Sequence, residues 1–357
     1  TFTPPRKALI IQPCCLGRVM LTTPLLAALD NSFPEARFDW AVSHWARQAV
    51  SRNRRVTRII HTGPGDLTGS RDEFNALLEA IRAEEYDTCF MLAQGPAAEN
   101  LAQKSEIPQR IALSGGGWRD RGVPPPPGER HLARIFLALA TAVGASLEVV
   151  AAAQMEFEPP DRDRTSVTRW LVEEFDWLGD TPLVVMHPGG GANPAQTNLD
   201  KRWPAERFAR LGNYLARTYG ARVVLVGLDD ERDLAAQVAG MMSPVIGSRT
   251  ANRAGAIGLG EMGALCELAS LYVGNDVGST YVAAATGCPT LAIYGPTDPA
   301  VYGPYMVNGR VRTLWRPFEG AFTWSAGVTV DEARAAADEL LVAYSVVAVS
   351  DAAQASS

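Results

Sequence analysis

The stretch Leu271–Ile293, LYVGNDVGSTYVAAATGCPTLAI, decides the fold. It reads as a short apolar strand (Leu271–Val273), a loop bracketed by Gly274 and Gly278, a helix over Gly278–Thr286, and a second strand (Thr290–Ile293). A strand, a helix and another strand joined so closely form a parallel βαβ unit. The first N–H groups and the dipole of that helix favour a diphosphate at its start. The carboxylate of Asp276 suits a ribose or sugar hydroxyl, although capping the helix is an equally ordinary use for it. The next loop, Tyr294–Pro299 (YGPTDP), also leaves a strand, and its composition fits a tight turn.

Working outward, the same alternation fills the second half. Leu183–Met186 is a strand that runs into His187-Pro-Gly-Gly-Gly191, where the glycines leave bare N–H groups open to an anion. Lys201-Arg-Trp-Pro204 follows, with Pro204 suited to the first turn of a helix and Lys201 able to reach a phosphate over the glycine loop. A plain connection with a solvated Lys-Arg pair is the bland alternative. Helices over Phe208–Thr218, Glu231–Ala239 and Glu261–Leu268 and a strand over Arg222–Val226 complete the pattern. The chain closes with a helix around Asp331–Tyr344 and a small polar tail predicted to be disordered.

The first half repeats the alternation. Strands are predicted at Ala8–Gln12, Phe38–Val42, Arg58–Ile60 and Thr88–Leu92, and helices around Leu21–Leu29, Phe74–Ala83 and His131–Val143. Pro13–Arg18 reads as the loop after the first strand. Gly115–Gly128, with its run Pro124–Pro127, reads as a stiff surface loop, and Glu156–Asp163 as a linker before a connecting helix near Val167–Phe175. The class is therefore α/β, with two doubly wound domains over 1–160 and 161–328 and a terminal segment over 329–357. Ligands of such domains lie where strand ends and helix N-termini converge.

Composition narrows the function. The 357 residues carry 47% hydrophobic and 20% charged side chains, the balance of a soluble globular protein. No apolar run nears the roughly 20 residues of a membrane span, and no signal segment is evident, so a cytoplasmic protein is expected. The net charge of −6 argues against a nucleic-acid partner. There is no Gly-Lys for a P-loop and no G-x-G-x-x-G after the first strand, which weighs against a nicotinamide oxidoreductase. Four scattered histidines (44, 61, 131, 187) and no cysteine cluster point to no metal or other cofactor. Cys14, Cys15, Cys89, Cys266 and Cys288 lie in or beside apolar segments and read as reduced core cysteines.

The order HPGGG, KRWP, VVLVGLDDERDLA and GNDVGSTYVAAATGCPTLAIYGPTDP resembles the donor-binding half of family 9 glycosyltransferases, the lipopolysaccharide heptosyltransferase group. ALIIQPCCLGRVMLTTPLLAAL and DTCFMLAQGPAAENLAQKSEIPQRIAL are similar to its first half, as an opening strand, loop and helix and a later strand, helix and strand. The resemblance implies the GT-B fold, two Rossmann-like domains facing across a cleft. It also implies metal-independent transfer, with inversion, from a nucleotide diphosphate sugar to a glycan or lipid-linked acceptor. On it, Lys201 contacts the donor phosphates beside Gly189 and Gly190. Glu231 lies near the ribose, and Asp276, Gly278 and Ser279 lie on the segment that binds sugar and diphosphate. A lipid-linked acceptor would bring the protein to the inner membrane face, although no basic amphipathic helix supports that contact.

Two positions depart from the family. Tyr281 stands where a histidine is usual, and Arg18 follows Gly17 where the family has the aspartate taken as general base. Arginine stays protonated and cannot be that base. Three readings stay open. One is a transferase with another base, such as Glu99 or His44. Another is a transferase whose anionic acceptor Arg18 binds bidentately. The last is a catalytically impaired nucleotide-sugar-binding homologue, or an altered form of an active enzyme.

Overall fold

Lys7–Ile11, KALII, forms β1, with its last four side chains buried as a strand covered on both faces requires. The computed structural model describes residues 2–355 apart from 66, 68, 116–121, 243 and 308, with 244, 245 and 343–355 described by backbone alone. After β1 come α1 (Leu16–Ser32), β2 (Arg37–Val42), β3 (Arg58–His61), α2 (Arg71–Arg82) and β4 (Thr88–Met91). Then follow α3 (Pro96–Lys104), β5 (Gln109–Ala112), α4 (Leu132–Ala142) and α5 (Leu147–Ala152). The five strands pair in parallel in the order β3-β2-β1-β4-β5. Part of the predicted Gly115–Gly128 loop lies outside the described residues.

The helix α1 begins five residues earlier than its apolar pattern predicts, so Arg18 belongs to its first turn and not to the loop. No residue of the usual capping types announces the start, since the N-cap is Cys15. Pro24 sits inside this helix and cannot donate to the carbonyl of Met20. The hydroxyl of Thr23 donates to that carbonyl instead, at 2.8 Å. A second correction concerns the cysteines: Cys14 and Cys15 are disulfide-bonded to each other, while Cys89, Cys266 and Cys288 are buried and take part in no disulfide among the described residues. Both paired residues lie in the loop between β1 and α1, within the predicted loop Pro13–Arg18, and what the apolar surroundings did not suggest is that they are oxidised.

The second half contains α6 (Asp161–Glu173), β6 (Leu183–His187), a two-stranded ribbon of β7 (Ala192–Asn193) and β8 (Gln196–Thr197), α7 (Ala205–Tyr219) and β9 (Arg222–Leu225). These are followed by α8 (Arg232–Met241), β10 (Thr250–Asn252), α9 (Leu259–Leu268), β11 (Leu271–Asn275) and α10 (Gly278–Ala285). The last elements are β12 (Thr290–Ile293), α11 (Pro299–Tyr302), β13 (Val311–Leu314) and α12 (Val330–Ala355). The main sheet is parallel, in the order β10-β9-β6-β11-β12-β13. The helix α7 lays Phe208, Leu211 and Leu215 on it at helical spacing, and Gly220, at φ 68°, ends that helix for the turn into β9. Ala333, Ala337 and Leu340 of α12 join the same core. The backbone of α12 stays helical past Tyr344, where composition predicts a disordered tail. Ser345–Ala355 contains neither glycine nor proline to stop it.

By internal contacts the chain divides into Thr1–Phe157 with Asn193–Gln196, and Glu158–Ala192 with Thr197–Ser357. The predicted linker ends early, because α6 already starts at Asp161. Just before the division, Glu156 receives two hydrogen bonds from Arg55, at 2.9 and 3.0 Å, and Arg55 also holds Asp30 at 2.6 Å. Among the described residues no helix is long and apolar enough to cross a membrane.

Candidate active site

Strand order marks a candidate site in the second unit. Its sheet reverses direction between β6 and β11, and the crevice at the carboxyl ends of such a pair is where open α/β sheets bind ligands. His187 ends β6 in register with Gly274 of β11. The glycine loop therefore leaves one strand beside the Asn275-Asp276-Val277 segment that leaves the other.

The glycine loop is tethered by its carbonyls. The side-chain amide of Asn275 donates to Pro188 O and Gly189 O, at 3.0 and 2.8 Å. Arg202 Nε donates to Gly190 O at 2.8 Å, and the N–H of Asn198 to Gly191 O at 2.6 Å. With the carbonyls so committed and the Gly190 N–H given to Glu231, the other N–H groups of the loop are the ones left for an anion. Gly190 and Gly191 have φ of 97° and 81°, conformations that only glycine adopts freely. A Cβ on Gly189 would collide with the carboxylate of Glu231.

Across the crevice, Lys201 Nζ donates to Asp276 Oδ2 at 2.7 Å, and both side chains are largely buried. Lys201 closes a short 3-10 turn over Leu199–Lys201, placed by the Trp203 N–H bond to Asn275 Oδ1 at 2.9 Å. Tyr281 lies one helical turn beyond Asp276. Its phenol is 2.9 Å from Asp276 Oδ1 and 2.5 Å from Tyr302 O, and its single proton can serve only one of them at a time. Burial pushes the Tyr281 phenol well above its usual pKa, so it stays neutral. Gly278 opens α10, whose first turn carries no acidic side chain.

Two residues expected beside the donor face inward. Ser279 Oγ is 2.5 Å from His187 Nδ1 and 2.8 Å from Tyr272 OH. Glu231, 4% exposed, accepts from His187 Nε2 and Leu228 N at 2.8 Å each, from Gly190 N, and from Arg202 Nη2 at 3.4 Å. Burial alone would raise its pKa. The bonds from His187 and from the Gly190 and Leu228 N–H groups outweigh it and bring the carboxyl down to about 2. Sequence reasoning missed Asn275 and gave no role to Arg202. An asparagine completely buried at a strand end is the one signal that marks it, and burial is not visible in sequence.

The first unit has its own reversal, between β1 and β4. Arg18 lies on the first turn of α1 after β1, and Glu99 on the first turn of α3 after β4, so both follow the paired strands of that reversal. The Nε of Arg18 is buried and has no hydrogen-bond partner among the described residues. His44 lies farther along the sheet, after β2, stacked on His61 with ring centroids 4.7 Å apart. Burial, then His44 and Arg47, lower the pKa of His61.

Residues 75–317 match the model of glycosyltransferase family 9 (heptosyltransferase). Lipopolysaccharide heptosyltransferase 2 of Salmonella typhimurium is 25% identical over 86% of this chain and 88% of its own length. Lipopolysaccharide heptosyltransferase 1 of Escherichia coli is 24% identical over 85% and 92%. Among solved structures, a family 9 glycosyl transferase of Veillonella parvula superposes with a TM-score of 0.79 at 21% identity, over 94% of this chain and 97% of the other. The E. coli ADP-heptose heptosyltransferase II gives 0.75 at 22% identity, over 94% and 98%. The fold is GT-B, as the sequence predicts.

Proposed function

This chain belongs to glycosyltransferase family 9, the heptosyltransferase family, and we propose that it moves a sugar, heptose by family default, from a nucleoside diphosphate to a glycan or lipid-linked acceptor. One observation carries the reading: Lys201 and Asp276 meet at the sheet reversal, between a glycine loop held by its carbonyls and the first turn of α10. Breaking the bond to the anomeric carbon leaves negative charge on the departing diphosphate. A fixed ammonium and a helix N-terminus stabilise that charge more in the transition state than before it. Lys201 thereby supplies the cation on this reading, and no metal is required. Attack opposite the leaving group inverts the anomeric centre. The relatives named lipopolysaccharide heptosyltransferases support a lipopolysaccharide acceptor, and with it a cytoplasmic enzyme working at the inner membrane face.

Arg18 does not take the acceptor's proton, because its guanidinium is already protonated. We assign that proton to Glu99, which follows the strand paired with β1. The partnerless Nε of Arg18 favours a second reading, in which the acceptor group is an anion that Arg18 binds and no base is needed. Transfer from ADP-heptose to a lipopolysaccharide acceptor, without metal, tests both. Lys201→Ala is expected to cost about tenfold or more, and Glu99→Gln roughly 10²–10⁴. An unaffected Glu99→Gln variant moves the assignment to the anionic acceptor. A native chain that is inert until Arg18→Asp is introduced identifies an impaired homologue instead.

A further inference from the structure

Cys14 and Cys15 are neighbours in sequence, joined by a disulfide. A disulfide stabilises a fold by closing a loop, and more so the longer the loop. This one encloses no residue, so it does not stabilise the fold in that way. In a cytoplasmic protein, the setting proposed above, disulfides are characteristically catalytic or redox-sensing. The pair stands at the start of α1. Cys15 is the N-cap, makes no side-chain bond to the first turn, and accepts from Val19 N with its carbonyl at 3.0 Å. What restrains the N-cap backbone is therefore the ring closed with Cys14, and Arg18 lies on the turn so restrained. Each residue of the pair also has an acceptor beside it. Asn193 Oδ1 lies 3.2 Å from Cys15 Sγ, within the first unit. Gln12, 1% exposed, donates to Cys14 O at 3.0 Å, while its own Oε1 is buried with no partner among the described residues. A disulfide sulfur has no hydrogen to give them, and a thiol has one.

We infer that Cys14–Cys15 is a thiol–disulfide site that exchanges with dithiol reductants and sets the order of the first turn of α1, and with it of Arg18. The reductant's thiolate attacks the sulfur of Cys15, which is half-buried where Cys14 is 6% exposed. Cys14 leaves as a thiolate and takes up a proton. The second thiol of the reductant then releases Cys15, also as a thiol, and the reductant departs as its own disulfide. Two electrons and two protons pass from the reductant to the protein. Reduction opens the ring, lets Cys15 donate to Asn193, and loosens the turn that carries Arg18. The inference takes only the cytoplasmic setting from the proposed function.

The experiment equilibrates the full chain in mixtures of reduced and oxidised dithiothreitol. N-ethylmaleimide labelling and mass read the state of the pair, and amide exchange is followed at Val19, whose N–H bonds to the N-cap carbonyl. The expected result is reversible interconversion, with Val19 exchanging about fivefold faster when the pair is reduced, the effect of losing one helix cap. Cys14→Ala should exchange fast in every mixture. Cys15→Ser also breaks the disulfide but offers a capping hydroxyl, so it should return Val19 to the slow rate, a rescue that a general loss of structure would not give. A pair that dithiothreitol leaves closed, equal exchange in the two states, or Cys15→Ser as fast as Cys14→Ala would overturn the inference. The wild-type comparison needs no variant to fold. None of these readouts uses a sugar donor, so a failure of the transferase reading is seen separately.

Discussion

At the scale of the residue, the site depends on charges that are buried in pairs. Removing one partner of such a pair strands the other in a poor solvent, at a cost of about 3–5 kcal/mol. Asp276→Ala is therefore expected to lower both stability and donor binding. Asp276→Asn keeps an oxygen for Lys201 and should lose less stability than binding, a split that denaturation and titration of the same samples will reveal. Glu231 adds a dependence on acid. Its carboxyl is depressed from the ordinary 4.5 to about 2 in the folded chain, so it stabilises fully above about pH 4.5. That stabilisation, up to about 3 kcal/mol, drains away as pH falls from 4.5 towards 2. The stability difference between wild type and Glu231→Gln should narrow across this window in urea titrations. A difference constant from pH 5 to pH 3 would contradict the depressed pKa. The residue types of the proposed site stand out in the sequence, where Lys201, Asp276 and the glycines are all singled out, and the structure brings them together at one sheet reversal. Their orientations do not stand out, because whether Ser279 and Glu231 face a ligand or the core depends on His187, on a different strand.

At the scale of the element, helix α1 and the glycine loop show how local rules are broken and repaired. The proline in α1 deprives Met20 O of its usual donor, and Thr23 fills the gap. Thr23→Val should cost about 1–3 kcal/mol, the penalty for an unsatisfied buried carbonyl. Adding Pro24→Ala restores a backbone donor four residues on and should recover part of that loss. Additive effects in the double variant would contradict the repair. In the loop, Gly190→Ala forces a side chain into φ 97° and against Val277, 2.8 Å from the new Cβ. Strain of about 1–3 kcal/mol is expected, with weakened diphosphate binding. Central strands were legible because they are continuous apolar runs, as Leu183–Met186 shows. The edge strands Thr250–Asn252 and Val311–Leu314 were not, since half-exposed edges carry no such run. The disulfide of Cys14 and Cys15 escaped notice because loop conformation leaves no trace in composition.

At the scale of the whole molecule, two parallel sheets repeat one winding order, and each reverses at its first strand. The alternation of strands and helices was enough to read that duplication from sequence. The proposal of a donor site in the second unit rests on loop chemistry: the second reversal has glycines, Lys201 and Asp276, whereas the first has Arg18 and a cysteine pair. The central claim is therefore a diphosphate site between β6 and β11. The most direct test is metal-free calorimetric titration of wild type and Lys201→Ala with ADP, UDP and GDP. The account predicts selective binding of one nucleotide, weakened about tenfold or more by Lys201→Ala. Binding of none, or equal binding by the variant, would contradict it.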